Sequence, residues 1–131
     1  MSARISVCIP AYNRAALLQP LLESILTQDY DNFEIVICED DSPERQAIAE
    51  VVARYAATHP GRIRLFENEQ NLGYDRNLRR LIELAEGDYC MFMGNDDLLA
   101  PGAADLGQRL QQHLPQRRER QPRLLQQVPG A

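Results

Sequence analysis

Four short apolar runs, at 5–9, 33–38, 63–66 and 89–93, alternate with three longer segments of helical period, and this order constrains the chain more than any other feature. The runs are rich in Ile, Val, Phe and Tyr and lack a clean polar alternation, the pattern of strands covered on both faces. Helices that carry the chain back between such strands make the sheet parallel or mostly parallel. The expected architecture is therefore α/β, a Rossmann-like sheet flanked by helices in the order β-α-β-α-β-α-β.

Each helical segment carries its own punctuation. In the first, Leu17, Leu18, Leu21, Leu22, Ile25 and Leu26 form one apolar face, and Pro20 predicts a kink or a restart. The second is expected to begin with Ser42 as cap, Pro43 in the first helical position and Glu44 at the positive end, with Ile48, Val51, Val52 and Tyr55 facing the core. The third covers about 74–85, with Leu78, Leu81, Ile82 and Ala85 inward and Gly87 as its stop. Residues 1–107 form one domain on this reading. From Gln108 onward the chain is Gln, Arg, Pro and Leu with no strand signal, so 108–131 reads as a poorly ordered tail.

Composition excludes several classes. With 44% hydrophobic and 25% charged residues the chain falls among soluble single domains. No apolar run approaches the ~20 residues that span a bilayer, and the N-terminus lacks a secretory pattern, so the expected compartment is the cytoplasm. Cys8, Cys38 and Cys90 sit inside apolar runs without metal-ligand spacing and read as buried free thiols. Lysine is absent, and charge is uneven: 1–108 hold 9 Arg against 18 acidic residues, while 109–131 hold 5 Arg against Glu119 alone. A basic tail suits anionic lipid at the inner face of the plasma membrane. It has no aromatic residue or regular basic spacing to support either that or a nucleic-acid partner, so the favoured reading is an unstructured end or a chain cut short of its natural continuation.

In doubly wound folds ligands bind beyond the carboxyl ends of the strands. Three polar clusters fall there: Pro10-Ala11-Tyr12-Asn13-Arg14, Glu39-Asp40-Asp41-Ser42, and Gly94-Asn95-Asp96-Asp97. Adjacent Asp96 and Asp97 would repel a bare diphosphate, each like-charge pair costing about 4 kcal/mol at ~4 Å and an effective dielectric near 20. A divalent cation between them reverses the sign, and oxygen ligands with a phosphate partner favour Mg²⁺ or Mn²⁺. The alternative is a turn rich in capping residues. Asp40 can accept a hydrogen bond from a base edge, a uracil N3–H or a cytosine amine, or it can cap the following helix. Arg76 is suited to a phosphate or to an ion pair with Asp75 or Glu67.

Ile5-Ser6-Val7-Cys8-Ile9-Pro10-Ala11-Tyr12-Asn13-Arg14, Ser24-Ile25-Leu26-Thr27-Gln28, Phe33-Glu34-Ile35-Val36-Ile37 with Glu39-Asp40-Asp41-Ser42, Asn71-Leu72-Gly73, Arg76-Asn77, Ala85-Glu86-Gly87-Asp88-Tyr89 and Asp96-Asp97-Leu98-Leu99-Ala100-Pro101-Gly102 follow one another along the chain. Together they resemble the N-terminal half of family 2 glycosyltransferases, over about residues 4–104. Gly73-Tyr74-Asp75-Arg76-Asn77 and Met93-Gly94-Asn95-Asp96-Asp97 look most like the branch that builds bacterial surface polysaccharides, abequosyl and rhamnosyl transferases included. The resemblance implies a GT-A fold and inverting, metal-dependent transfer from a UDP-, dTDP- or CDP-sugar to a saccharide or lipid-linked acceptor. It also implies that Pro10-Ala11-Tyr12 border the nucleotide, Asp40 holds the base, Asp96 lies near ribose and diphosphate, and Asp97 binds the metal.

The full nucleotide-sugar-binding set expected is Pro10, Ala11, Tyr12, Arg14, Glu39, Asp40, Arg76, Asn95 and Asp96, with Asp97 and Asp96 for the metal. Two positions depart from the family: Glu39 stands where the first Asp of a pair is usual, and Gly94 where many members have the first carboxylate of a DXD motif. The family continues into an acceptor-binding half that supplies the general base, and nothing after Gln108 resembles it. Donor binding with little transfer is therefore expected of this chain alone. A response-regulator receiver needs a lysine the chain lacks. A dinucleotide-dependent dehydrogenase or a nucleotidyltransferase wants glycines in the first loop, and 10–14 contains none.

Overall fold

The structure, a computed structural model, describes residues 3–94 and 123–125. Strands β1 (Ile5–Ala11), β2 (Phe33–Glu39), β3 (Ile63–Glu67) and β4 (Tyr89–Phe92) alternate with helices α1 (Ala15–Leu26), α2 (Arg45–Thr58) and α3 (Tyr74–Leu84). The sheet is parallel throughout, in the order β3-β2-β1-β4-β5. Strand β5 (Arg123–Leu125) pairs with β4, so the stretch read as a tail without strand signal supplies an edge strand. Three residues carry too little periodicity to be read as a strand in advance.

Strand periodicity divides the core in two. Ile5, Val7, Ile9, Ile35 and Ile37 face Leu18, Leu21, Leu22 and Ile25 of α1 and Ile48, Val51 and Val52 of α2. The alternate residues Cys8, Val36, Cys38 and Cys90 face Leu81 of α3. All three thiols are free and buried, as expected. Burial pushes the Cys38 thiol up to about 11 against the opposing pull of Arg80. Arg80 thus lies half-buried beside the sheet.

Three local expectations are corrected. Helix α1 continues through Pro20 without a restart; Pro20 and Ala16, whose carbonyl loses its donor, both lie on the exposed face where water can serve it. Helix α2 begins at Arg45, with Glu44 as N-cap, rather than at Pro43; the Ser42 hydroxyl donates to Glu39 Oε2 (2.7 Å) and caps nothing. Glu44 serves the other helix, its Oε1 accepting the Ala15 amide of α1 at 2.9 Å. Gly87 does not stop α3, which ends with Ala85 in extended conformation. A Cβ at Gly87 would lie 2.7 Å from Ser6 Oγ and 2.8 Å from the Arg4 carbonyl oxygen, so glycine is required by close approach of the turn before β4 to β1.

The same corner holds a buried carboxylate. Glu34, 1% exposed, accepts from the Ser6 hydroxyl (2.5 Å), the Glu86 amide (2.7 Å) and the Arg64 guanidinium (2.8 Å). Arg64 also donates to the Leu84 carbonyl at 2.8 Å, closing the end of α3. Burial by itself would raise the Glu34 carboxyl, but the Ser6, Glu86 and Arg64 donors outweigh it and hold it below its ordinary value. The depressed folded value makes this a contribution present above the unfolded value of 4.5 and lost as pH falls through the folded one. Glu34→Gln should lower unfolding stability by about 2–3 kcal/mol at pH 7. The gap from wild type should close as the pH falls below 4.5, and urea melts at pH 7 and pH 3 measure it. Gly87→Ala should cost about 1–3 kcal/mol at every pH, since two of the three atoms it meets are backbone and cannot step aside.

Candidate functional site

The carboxyl ends of β1 and β2 open on a cavity of ≈ 420 Å³. Its walls come from three places. Pro10 and Ala11 end β1 and Tyr12 follows it, Asp40 follows β2, and Asn71, Gly73, Tyr74 and Asn77 come from the loop after β3 and the start of α3. These three loops meet here because α3 crosses back over the sheet to reach β4 on the far side of β1, the reversal at which doubly wound sheets form a crevice.

Asp40 organises the floor. It is 4% exposed, and its backbone amide continues the sheet by donating to the Ala11 carbonyl at 2.9 Å. Its Oδ1 accepts the Leu72 amide (2.7 Å) and Asn68 Nδ2 (2.9 Å), and its Oδ2 accepts the Gly73 amide (3.0 Å). Asn71 Nδ2 donates to the Asp40 carbonyl at 2.9 Å. Gly73 takes φ 89°, open to glycine and strained for other residues, which lets the loop turn its amides onto the carboxylate. Oδ2 retains capacity for one more donor from the cavity that Asp40 lines.

Two aromatic rings flank this floor. Tyr12 is 50% exposed and Tyr74 is 68% exposed; with Leu17 they are the large apolar side chains exposed among the described residues. Tyr12 is followed by Asn13 and Arg14, both in the left-handed region at φ 57° and 59°. Two consecutive non-glycine residues there store strain of about 1–3 kcal/mol each, next to the cavity. Outside contacts hold the turn, Asn13 Oδ1 accepting the Glu44 amide and Glu44 Oε1 accepting that of Ala15.

The expected site residues thus divide. Pro10, Ala11, Tyr12 and Asp40 come together on the cavity. Glu39 does not: fully buried, its carboxylate accepts the Asp41 amide (3.0 Å), the Ser42 amide (2.8 Å) and the Ser42 hydroxyl, building the turn that holds Asp41 left-handed. A longer side chain than aspartate folds back onto its own turn, so Glu39 shapes the loop without lining the cavity. Arg14 and Arg76 are exposed and off the cavity wall; the ion pair weighed between Arg76 and Glu67 is replaced by Arg45 to Glu67 at 3.4 Å. Asn95, Asp96 and Asp97 lie outside the described residues. Among the described residues no group of three His, Cys, Asp or Glu could hold a metal ion. No described helix is long and apolar enough to cross a membrane.

The sequence reading missed Tyr74, Asn71 and Asn77 as walls and Asn68 as a support. For Asn71 and Asn77 the signal lay in Asn71-Leu72-Gly73 and Arg76-Asn77, motifs in which neither asparagine was given a role; Tyr74 and Asn68 carried no local signal.

Comparison with known proteins places this geometry. The chain is 45% identical over 100 residues to an uncharacterized protein of Mycobacterium tuberculosis, covering 76% of this chain and 30% of that one. It is 41% identical over 96 residues to the abequosyltransferase RfbV of Salmonella typhimurium, covering 73% and 29%. The chain thus spans about a third or less of the length of these relatives. Among solved structures, the mannosyltransferase PcManGT from Pyrobaculum calidifontis, in complex with GDP-Man and Mn²⁺, superposes with a TM-score of 0.79 at 26% identity, over 88% of this chain and 34% of that one. TarS of S. aureus in complex with UDP-GlcNAc gives 0.65 at 26%, over 73% and 27%. The parallel sheet with its flanking helices is the GT-A fold of these neighbours. The model of glycosyl transferase family 2 matches residues 6–113, and the chain belongs to that family.

Proposed function

We propose that the cavity binds the nucleoside of a nucleoside-diphosphate sugar, and that the chain is the donor-binding part of an inverting transferase acting in surface-polysaccharide synthesis. One observation carries the reading: Tyr12 and Tyr74, exposed rings that water would otherwise disfavour, line one cavity whose floor is a fixed carboxylate. A planar base with an N–H donor matches both elements, its faces on the rings and its edge on Asp40. Uracil, thymine, cytosine and guanine all offer such a donor.

The charge of the cavity supports the division of the donor. Asp40 is the one charged residue among the described residues lining it. An acidic, aromatic pocket suits an uncharged base and repels a diphosphate. The diphosphate belongs outside it, toward β4, where the chain continues into Asn95, Asp96 and Asp97. Arg14 and Arg76, both exposed, are the guanidinium groups nearest in sequence to the cavity walls. Mg²⁺ or Mn²⁺ held by Asp97 with Asp96 would supply neutralisation of the leaving diphosphate. The mannosyltransferase and abequosyltransferase relatives support a sugar donor, and the acceptor is read as a saccharide or lipid-linked saccharide. Inversion requires a carboxylate to take the acceptor proton, a role no residue here is assigned.

Calorimetric titration with UDP, dTDP, CDP and GDP, with and without Mn²⁺, tests the reading. Tyr12→Ala and Tyr74→Ala should each weaken nucleoside-diphosphate binding about tenfold, the worth of one lost base stack. Unchanged affinity in both would remove the base from the cavity. Asp97→Ala should abolish the Mn²⁺-dependent increment while sparing what is seen without metal; binding equally tight with and without Mn²⁺ in wild type would end the metal role. Product formation by the donor-loaded chain on adding a saccharide acceptor would overturn the expectation of donor binding with little transfer.

A further inference from the structure

Behind the cavity floor lies a buried side chain that no motif above assigns. Asn68, 5% exposed, follows β3, and its backbone amide donates to the Glu39 carbonyl at 2.9 Å. Its side-chain nitrogen donates to Asp40 Oδ1 and to Asn77 Oδ1, both at 2.9 Å. Asn77, 2% exposed, in turn donates through Nδ2 to the Cys38 carbonyl at 3.0 Å. The amide orientation is fixed by chemistry, since turning it over would set an oxygen against two acceptors. A chain of hydrogen bonds therefore runs from the strand backbone at Cys38 through Asn77 and Asn68 to the Asp40 carboxylate.

The cost of this arrangement argues that it is functional. Asn68 Oδ1 is buried without a hydrogen-bond partner among the described residues. A buried acceptor left unpaired is unfavourable, and a purely structural position would be served at lower cost by an apolar side chain. What an apolar side chain cannot do is hold Asp40 Oδ1. With that oxygen bound by Asn68 and the Leu72 amide, rotation of the carboxylate is blocked from two directions, and among the described residues Oδ2 carries only the Gly73 amide. We infer that Asn68 is a positioning residue for base recognition: it fixes the rotation of Asp40 so that Oδ2 is presented to a donor in the cavity. This rests on the cavity being the nucleoside site. Fixing the acceptor in advance spares the ligand the cost of ordering it, which is how a residue that never touches the base sharpens selection for it.

The test separates aiming from folding. In the full chain, with Mn²⁺ present, affinity is measured for inorganic pyrophosphate and for the tightest of UDP, dTDP, CDP and GDP, in wild type, Asn68→Asp and Asn68→Ser. Asn68→Asp keeps the shape and replaces the shared donor by an acceptor. Asn68→Ser keeps one donor on a shorter arm. Preference for the nucleotide over pyrophosphate should fall about tenfold in Asn68→Asp and less in Asn68→Ser, with pyrophosphate affinity unchanged. A folded variant that keeps the wild-type preference overturns the inference while leaving the nucleoside site intact. Equal loss of both ligands, or failure of both variants to fold in thermal melts, overturns it too, because Asn68 would then be holding up the loop and not aiming Asp40. A wild type with no preference for nucleotide over pyrophosphate brings down the nucleoside site itself, and the inference with it.

Discussion

A carboxylate that must be buried at the end of a central strand governs this end of the molecule. Asp40 leaves β2 at 4% exposure, and a charge taken that far from water has to be met by donors. The chain supplies them by drawing the loop after β3 across the sheet, so that the Leu72 and Gly73 amides and the Asn68 side chain converge on it. That loop also carries Asn71 and delivers Tyr74 to the start of α3. The cavity follows from satisfying one buried charge, and its walls cannot be moved independently of that charge.

The two ends of the sheet answer buried acids in different ways. At the amino end, Glu34 is saturated: Ser6, Glu86 and Arg64 fill both oxygens, Arg64 closes α3, and Gly87 lets the turn press against β1. At the carboxyl end, Asp40 keeps one oxygen lightly used and faces a cavity. Both acids lie on the α3 side of β2, six residues apart and in step with the strand's period of two. The first is a structural clamp with a guanidinium. The second has neutral donors only among the described residues, which holds its charge without neutralising it. A site meant to accept a hydrogen bond from a ligand needs the second arrangement.

The fold was legible because it rests on periodicity. Four apolar runs and three amphipathic segments give a parallel sheet covered on both faces whatever the loops do, and β1 to β4 fall within two residues of where the runs placed them. The misreadings came where a local rule met a tertiary partner. Ser42 has the chemistry of a cap, but Glu39 takes its hydroxyl first. Glu44 suits the start of α2, yet its carboxylate reaches the first amide of α1. Pro20 predicts a kink or a restart, and exposure of the freed carbonyl offsets the lost hydrogen bond so that the helix does not restart. On the site, Asp40 and Tyr12 were legible because strand ends are where doubly wound sheets bind ligands. Tyr74 and Asn68 were not, since nothing local distinguishes a ring beside a cavity from one in solvent, or an asparagine behind a carboxylate from one in a turn.

The absence of lysine sharpens what the cavity can be. Every fixed cation in the chain is a guanidinium, and among the described residues none lines the cavity: Arg64 is spent on Glu34, Arg45 bridges to Asp41 and Glu67, and Arg62 lies over the Phe33 ring while donating to backbone carbonyls. A pocket with an acid at its floor and no cation in its walls is electrostatically hostile to phosphate and neutral toward a base. The ligand it suits is therefore one whose uncharged aromatic part and charged part are separable by several ångströms, so that the first can enter while the second stays out. A nucleoside diphosphate has that shape. A phosphorylated sugar without a base does not.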